Sequence, residues 1–111
     1  MNLNILQGKA KDGGELLILK GELDAYTAPK LKETLLELVD IEGASVTLDL
    51  SDTNYMDSTG IGVIIAAYKK VCKNNGTLIV QGLTPRVERL FDITGLSDII
   101  TIEDINKEET R

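Results

Sequence analysis

The 111 residues are 42% apolar and 27% charged, with a formal charge of −6, which suits one aliphatic core and is too short for two. The acidic balance argues against nucleic acid, whose phosphates require a basic face. Histidine is absent and Cys72 is the single cysteine, so the commonest general base, the commonest zinc ligand and any internal disulfide are all missing. The first residues lack a charged-then-apolar leader pattern, and no apolar run approaches the roughly 18 residues of a membrane span. A cytoplasmic protein that does not enter the membrane is expected.

Asn2-Leu3-Asn4-Ile5 alternates polar and apolar, as a half-exposed strand does. Asp12-Gly13-Gly14 signals a turn, and Leu16-Leu17-Ile18-Leu19 is a denser apolar strand. The two are predicted to form an antiparallel hairpin, the second strand being the more buried. Gly21-Glu22-Leu23-Asp24 ends it. Thr27 is the expected N-cap of a helix, with Pro29 tolerated in its first turn. Ala28, Leu31, Leu35, Leu38 and Val39 mark its apolar face, and Gly43 closes the segment.

Val46, Leu48 and Leu50 alternate with Thr47 and Asp49 in the next strand. It leads into Tyr55-Met56-Asp57-Ser58-Thr59-Gly60-Ile61-Gly62, the stretch least explained by packing needs. From Ser58 to about Asn74 the pattern is helical, with Ile61, Ile64, Ile65, Tyr68, Val71 and Cys72 at three- and four-residue steps. Cys72 reads as a small core residue. Lys69, Lys70 and Lys73 suit the negative end of the helix dipole. Thr77-Leu78-Ile79-Val80 is a short strand, and Thr84-Pro85 an N-cap with proline at the first helical position. Val87, Leu90 and Phe91 form the inner face of that helix, with Gly95 as its stop. Ile99-Ile100-Thr101-Ile102 is a last strand or strand-like packing segment. Residues 106–111 are charged and expected to fray. The order is β-β-α-β-α-β-α-β: one α/β domain whose sheet has parallel neighbours.

In Tyr55–Gly62, Asp57, Ser58 and Thr59 can each cap a helix start. Gly60 and Gly62 each cost roughly 1 kcal/mol against alanine inside a helix, which suggests that something approaches the backbone closely. Three readings compete. A nucleophilic Ser58 needs a base, and the local sequence supplies none; adjacency alone does not make Asp57 one. Gly60-Ile61-Gly62 after a strand hints at phosphate binding, but Val63-Ile64-Ile65 departs from the dinucleotide fingerprint and no P-loop Gly-Lys-Ser/Thr follows. The plainest reading is a capped helix whose glycines relieve crowding against the sheet.

Taken in order and spacing, Gly21-Glu22-Leu23-Asp24, Tyr55–Gly62 and Arg89-Leu90-Phe91-Asp92-Ile93-Thr94-Gly95-Leu96 resemble the bacterial anti-sigma factor antagonists, whose fold is the STAS domain, over essentially the whole chain. Ala25-Tyr26-Thr27-Ala28-Pro29 and the Asp-Ser-Thr-Gly core lie closer to the general-stress branch than to the sporulation branch. The resemblance implies a STAS domain over residues 1–105: a mostly parallel sheet of four to five strands with an N-terminal hairpin, packed against three main helices.

The resemblance also implies that the unmodified chain binds an anti-sigma factor serine/threonine kinase and so frees the sigma factor. Phosphorylation on Ser58 would block binding, and a metal-dependent serine phosphatase would reverse it. Thr59 is the nearest competing hydroxyl. Asp24, Met56, Asp57, Ser58, Thr59, Gly60, Ile61 and Gly62 become the expected partner-binding residues. Loops at the carboxyl ends of strands gather together in such sheets, which brings Asp24 towards Ser58; its competing role is turn formation. The block from Arg86 to Leu96 reads as structural. On this view the chain is a kinase substrate and not a catalyst, needs no cofactor, and is a monomer when free. The alternative is a STAS-type nucleotide-binding or structural interaction module outside sigma factor control.

Overall fold

The computed structural model describes residues 2–103, so the expected domain limit at residue 105 and the tail 106–111 lie outside the described residues. β1 (Leu3–Lys9) and β2 (Glu15–Leu23) pair antiparallel, in register from Leu3 with Gly21 to Lys9 with Glu15. At the turn the Asp12 carboxylate accepts the Gly14 N–H at 2.8 Å. Where the strands meet, Lys9 donates to Glu15 at 2.9 Å and thereby holds the Glu15 carboxyl below its ordinary range.

The chain continues through α1 (Ala28–Val39), β3 (Ser45–Met56), α2 (Ser58–Lys73), β4 (Thr77–Gln81), α3 (Pro85–Thr94), a 3-10 turn at Leu96–Asp98 and β5 (Thr101–Glu103). The strands stand side by side in chain order, with β2 through β5 mutually parallel. This is the element order and the mostly parallel sheet that the sequence predicts. Leu17 and Leu19 of β2, Leu48 and Leu50 of β3 and Val80 of β4 are fully buried, together with Leu31 and Leu35 of α1, Ile64 of α2 and Phe91 of α3. Each such side chain contributes roughly 1.5–3 kcal/mol by leaving water. Phe91 is the one aromatic ring among them, so the core is aliphatic as composition requires. Gly95, at φ 80°, stops α3 in the left-handed conformation that a Cβ disfavours.

Three details depart from the sequence reading. β3 does not end with the alternating run at Leu50. It extends through Ser51-Asp52-Thr53-Asn54 to Met56, because β2 keeps pairing with it across two register shifts. The fully buried Thr53 hydroxyl donates to the Leu19 carbonyl at 2.8 Å, which lets a polar stretch remain a strand. Cys72 is exposed and not a core residue. The buried side of α2 runs through Ile61, Ile64, Ala67 and Val71. At 3.6 residues per turn Cys72 points within about 20° of Ile61, at the edge of that side, and in the last turn of the helix this edge is uncovered.

Thr27 occupies the N-cap position of α1 but has helical backbone angles, and its side chain does not cap. Its hydroxyl instead donates to the Glu22 carbonyl at 2.8 Å and accepts the Asp24 N–H at 2.9 Å. The turn that leads into α1 is held by Asp24, whose Oδ1 accepts the N–H of Tyr26 at 2.9 Å and of Thr27 at 3.1 Å. Thr27→Val keeps the shape of the side chain and takes the hydroxyl partner from the buried Asp24 N–H and the part-buried Glu22 carbonyl. We expect it to cost about 1–3 kcal/mol in a denaturant titration; an unchanged midpoint would show that this loop does not depend on the hydroxyl.

Candidate functional site

The end of β3 and the start of α2 are joined by one residue, Asp57. Its backbone is extended (φ −120°, ψ −173°) and its Oδ1 accepts the Thr59 N–H at 2.9 Å. Asp57 is therefore the N-cap, which leaves Ser58 as the first and Thr59 as the second helical residue. Ser58 and Thr59 are both exposed, while Asp57 is half-buried. The Ser58 hydroxyl makes no hydrogen bond to any described residue. It stands at the positive end of a 16-residue helix, with no hydrogen-bonded base among the described residues to activate it.

β2 brings the second part of the site. Leu23 pairs with Met56, and the ladder continues one step further as the Asp57 N–H donates to the Leu23 carbonyl at 3.2 Å. Asp24, the next residue, therefore leaves the sheet beside the start of α2. It is 5% exposed, and its Oδ2 is buried without a hydrogen-bond partner among the described residues. Oδ1 carries the turn bonds, so Asp24 builds the loop and also stands next to the Ser58 end of α2.

The two glycines separate. A Cβ on Gly60 would lie 2.7 Å from Leu23 Cγ and 2.9 Å from Met56 Cγ, whereas a Cβ on Gly62 would meet nothing within 4 Å. The close approach at Gly60 is made by the protein's own sheet. Gly62 faces open space and is exposed. Met56 and Ile61 are buried as well, at 5% and 4% exposure. Of the expected partner-binding residues, the structure thus presents Ser58, Thr59 and Gly62 at the surface, with Asp57 half-buried among them. Met56, Gly60 and Ile61 lie beneath as support. Asp24 lies at the side, buried in its turn.

Tyr26, which the sequence pattern does not place in the site, projects from the Asp24–Thr27 turn at this same end of the sheet and is 85% exposed. The signal was weak: a tyrosine between a strand end and a capped helix, off the apolar period on either side. Among the described residues, no group of three or more histidine, cysteine, aspartate or glutamate side chains stands together as a metal site. No helix among them is long and apolar enough to cross a membrane.

Comparison with known proteins extends the geometry. The STAS domain model matches residues 9–108. An anti-sigma-B factor antagonist of Listeria monocytogenes is 44% identical over 109 residues, covering 97% of this chain and 95% of that protein. One from Bacillus subtilis is 44% identical over 102 residues, covering 92% of each. Among solved structures, an anti-sigma factor antagonist from Mycobacterium paratuberculosis superposes with a TM-score of 0.81 at 27% identity, over 91% of this chain and 85% of that one.

Proposed function

The chain belongs to the STAS domain family, and we propose that it acts as an anti-sigma factor antagonist whose binding is switched at Ser58. The unmodified chain binds an anti-sigma factor that is itself a serine kinase, and the sigma factor is released. Phosphate on Ser58 abolishes that binding, and a metal-dependent serine phosphatase restores it. The observation that carries this reading is the Ser58 hydroxyl itself: exposed, unbonded and at the first position of α2, over a cap supplied by its neighbour Asp57.

The same observation supports reading the chain as the kinase's substrate instead of a catalyst. A serine attacks only when a base takes its proton; the chain has no histidine, and no described side chain is hydrogen-bonded to the Ser58 hydroxyl. A nucleotide cradle at Gly60-Ile61-Gly62 is disfavoured because the space over Gly60 is filled by Leu23 and Met56.

Phosphate at Ser58 adds about −1.5 to −2 charges and three acceptor oxygens. The helix start receives an anion well, so the fold persists. The surface around Ser58 changes from a neutral hydroxyl to a dianion beside Asp57, and a partner that packs there must strip its water. With the cognate kinase and ATP we expect one phosphate per chain by intact mass. Ser58→Ala should take none, and Thr59→Ala should be modified as the wild type is. Continued labelling of Ser58→Ala would move the acceptor to another hydroxyl.

A further inference from the structure

We propose that Tyr26 is the fixed aromatic anchor by which the chain docks on its anti-sigma factor kinase, seated in an apolar pocket with a basic rim; this rests on the function proposed above. Folding gives no reason for a tyrosine at this position. Its ring is 85% exposed and is not among the residues packed on the core. The turn that carries it is held by backbone groups and by the Asp24 and Thr27 side chains, without the ring. The Tyr26 N–H donates to Asp24 Oδ1 at 2.9 Å, the Thr27 hydroxyl bonds the Asp24 N–H, and the Ala28 N–H donates to the Asp24 carbonyl at 2.8 Å.

The placement gives the ring its use. Leu23 pairs with Met56, so the turn carrying Tyr26 and the helix start carrying Ser58 leave neighbouring strands at one end of the sheet, about 4.8 Å apart at their roots. Tyr55, 37% exposed, lies on β3 immediately before that end. Two of the three tyrosines therefore stand at the Ser58 end of the sheet, while Tyr68 packs against the core and Phe91 is fully buried in it. An exposed tyrosine on a backbone that is already rigid loses little freedom on docking, and such residues dominate binding energies at interfaces. Acidic groups predominate at the two strand ends: half-buried Glu22 and Asp57 and buried Asp24, against the exposed Lys30 in the first turn of α1, in a chain of net charge −6. This complements a pocket ringed by lysine or arginine.

The test measures the affinity of the full unphosphorylated chain for its cognate anti-sigma factor kinase by calorimetry without ATP, with thermal melts of each variant. Tyr26→Ala should bind about 30-fold or more weakly while melting as the wild type does. Tyr26→Phe should retain most of the affinity. Ile93→Ala, at a 73% exposed position on α3, should bind as the wild type does. Wild-type affinity of Tyr26→Ala, alongside a Ser58→Asp variant that fails to bind, would overturn the anchor and leave the switch standing. Failure of the wild-type chain to bind any such kinase would overturn both.

Discussion

Ser58→Asp is expected to weaken binding to the anti-sigma factor kinase by a few hundredfold or more, with the far-ultraviolet circular dichroism and the melting temperature essentially unchanged. The two halves of this expectation have one cause. Ser58 is exposed and heads a 16-residue helix, so a carboxylate there finds the favourable end of the dipole and disturbs no packing. The cap bond from the Thr59 N–H to Asp57 does not involve the Ser58 side chain. At an interface the balance reverses. The new charge must be desolvated beside Asp57, and a loss of only about 3 to 4 kcal/mol is a few hundredfold in affinity.

A carboxylate carries less charge than phosphate, so this variant is a conservative test. Ser58→Asn separates charge from size: it should bind far better than Ser58→Asp, since it has the same shape and no charge. Wild-type affinity of Ser58→Asp in calorimetry would sink a switch based on local charge. A lost dichroism signal would show instead that the change acts through the fold.

The element order was legible because each strand and helix has its own apolar period and its own stop, such as Thr84-Pro85 at the start of α3 and Gly95 at its end. The polar half of β3 was not, since Ser51 to Asn54 carry no strand signal without β2 alongside; Thr53 belongs there only because the Leu19 carbonyl is waiting for its hydroxyl. The same holds for the loop after β2. Thr27 before Pro29 has the form of a cap, but it is Asp24, three residues earlier, whose side chain reaches forward to bond the N–H groups of the turn that enters α1.

The candidate site was legible as a location and not as an arrangement. Asp57, Ser58 and Thr59 are equivalent as caps in one dimension. Only the extended Asp57 backbone and its bond to Thr59 leave Ser58 free. Tyr26 escaped because its exposure is set by a turn that the apolar pattern does not describe. Cys72 shares its helical direction with the buried Ile61 but lies about three turns further on, where that side of α2 is no longer covered.

Gly60 and Gly62 carry the same helix penalty in the sequence, and they should part sharply when substituted. Gly60→Val is expected to lose about 3 kcal/mol of stability, at the upper end of what forcing atoms into a packed site costs. Its first added carbon would lie within 2.9 Å of both Leu23 and Met56, and Leu23 is fully buried with no room to retreat. The strand end and the helix start would be pushed apart where the Asp57 N–H bonds Leu23, and the melting temperature should fall by about 10 °C or more. Gly62→Ala should do the opposite. Its Cβ meets nothing within 4 Å, so the helix gains up to about 1 kcal/mol and melts a few degrees higher.

The stabilised Gly62→Ala variant should nevertheless bind the kinase more weakly, because its methyl group covers the bare backbone that the partner approaches in the wild type. Thermal melts and calorimetry on the pair decide the matter. If Gly60→Val melts as the wild type does, crowding by Leu23 and Met56 is not what demands glycine there. If Gly62→Ala is more stable and binds at full affinity, the partner surface does not extend past Thr59, and Gly62 has no role in docking.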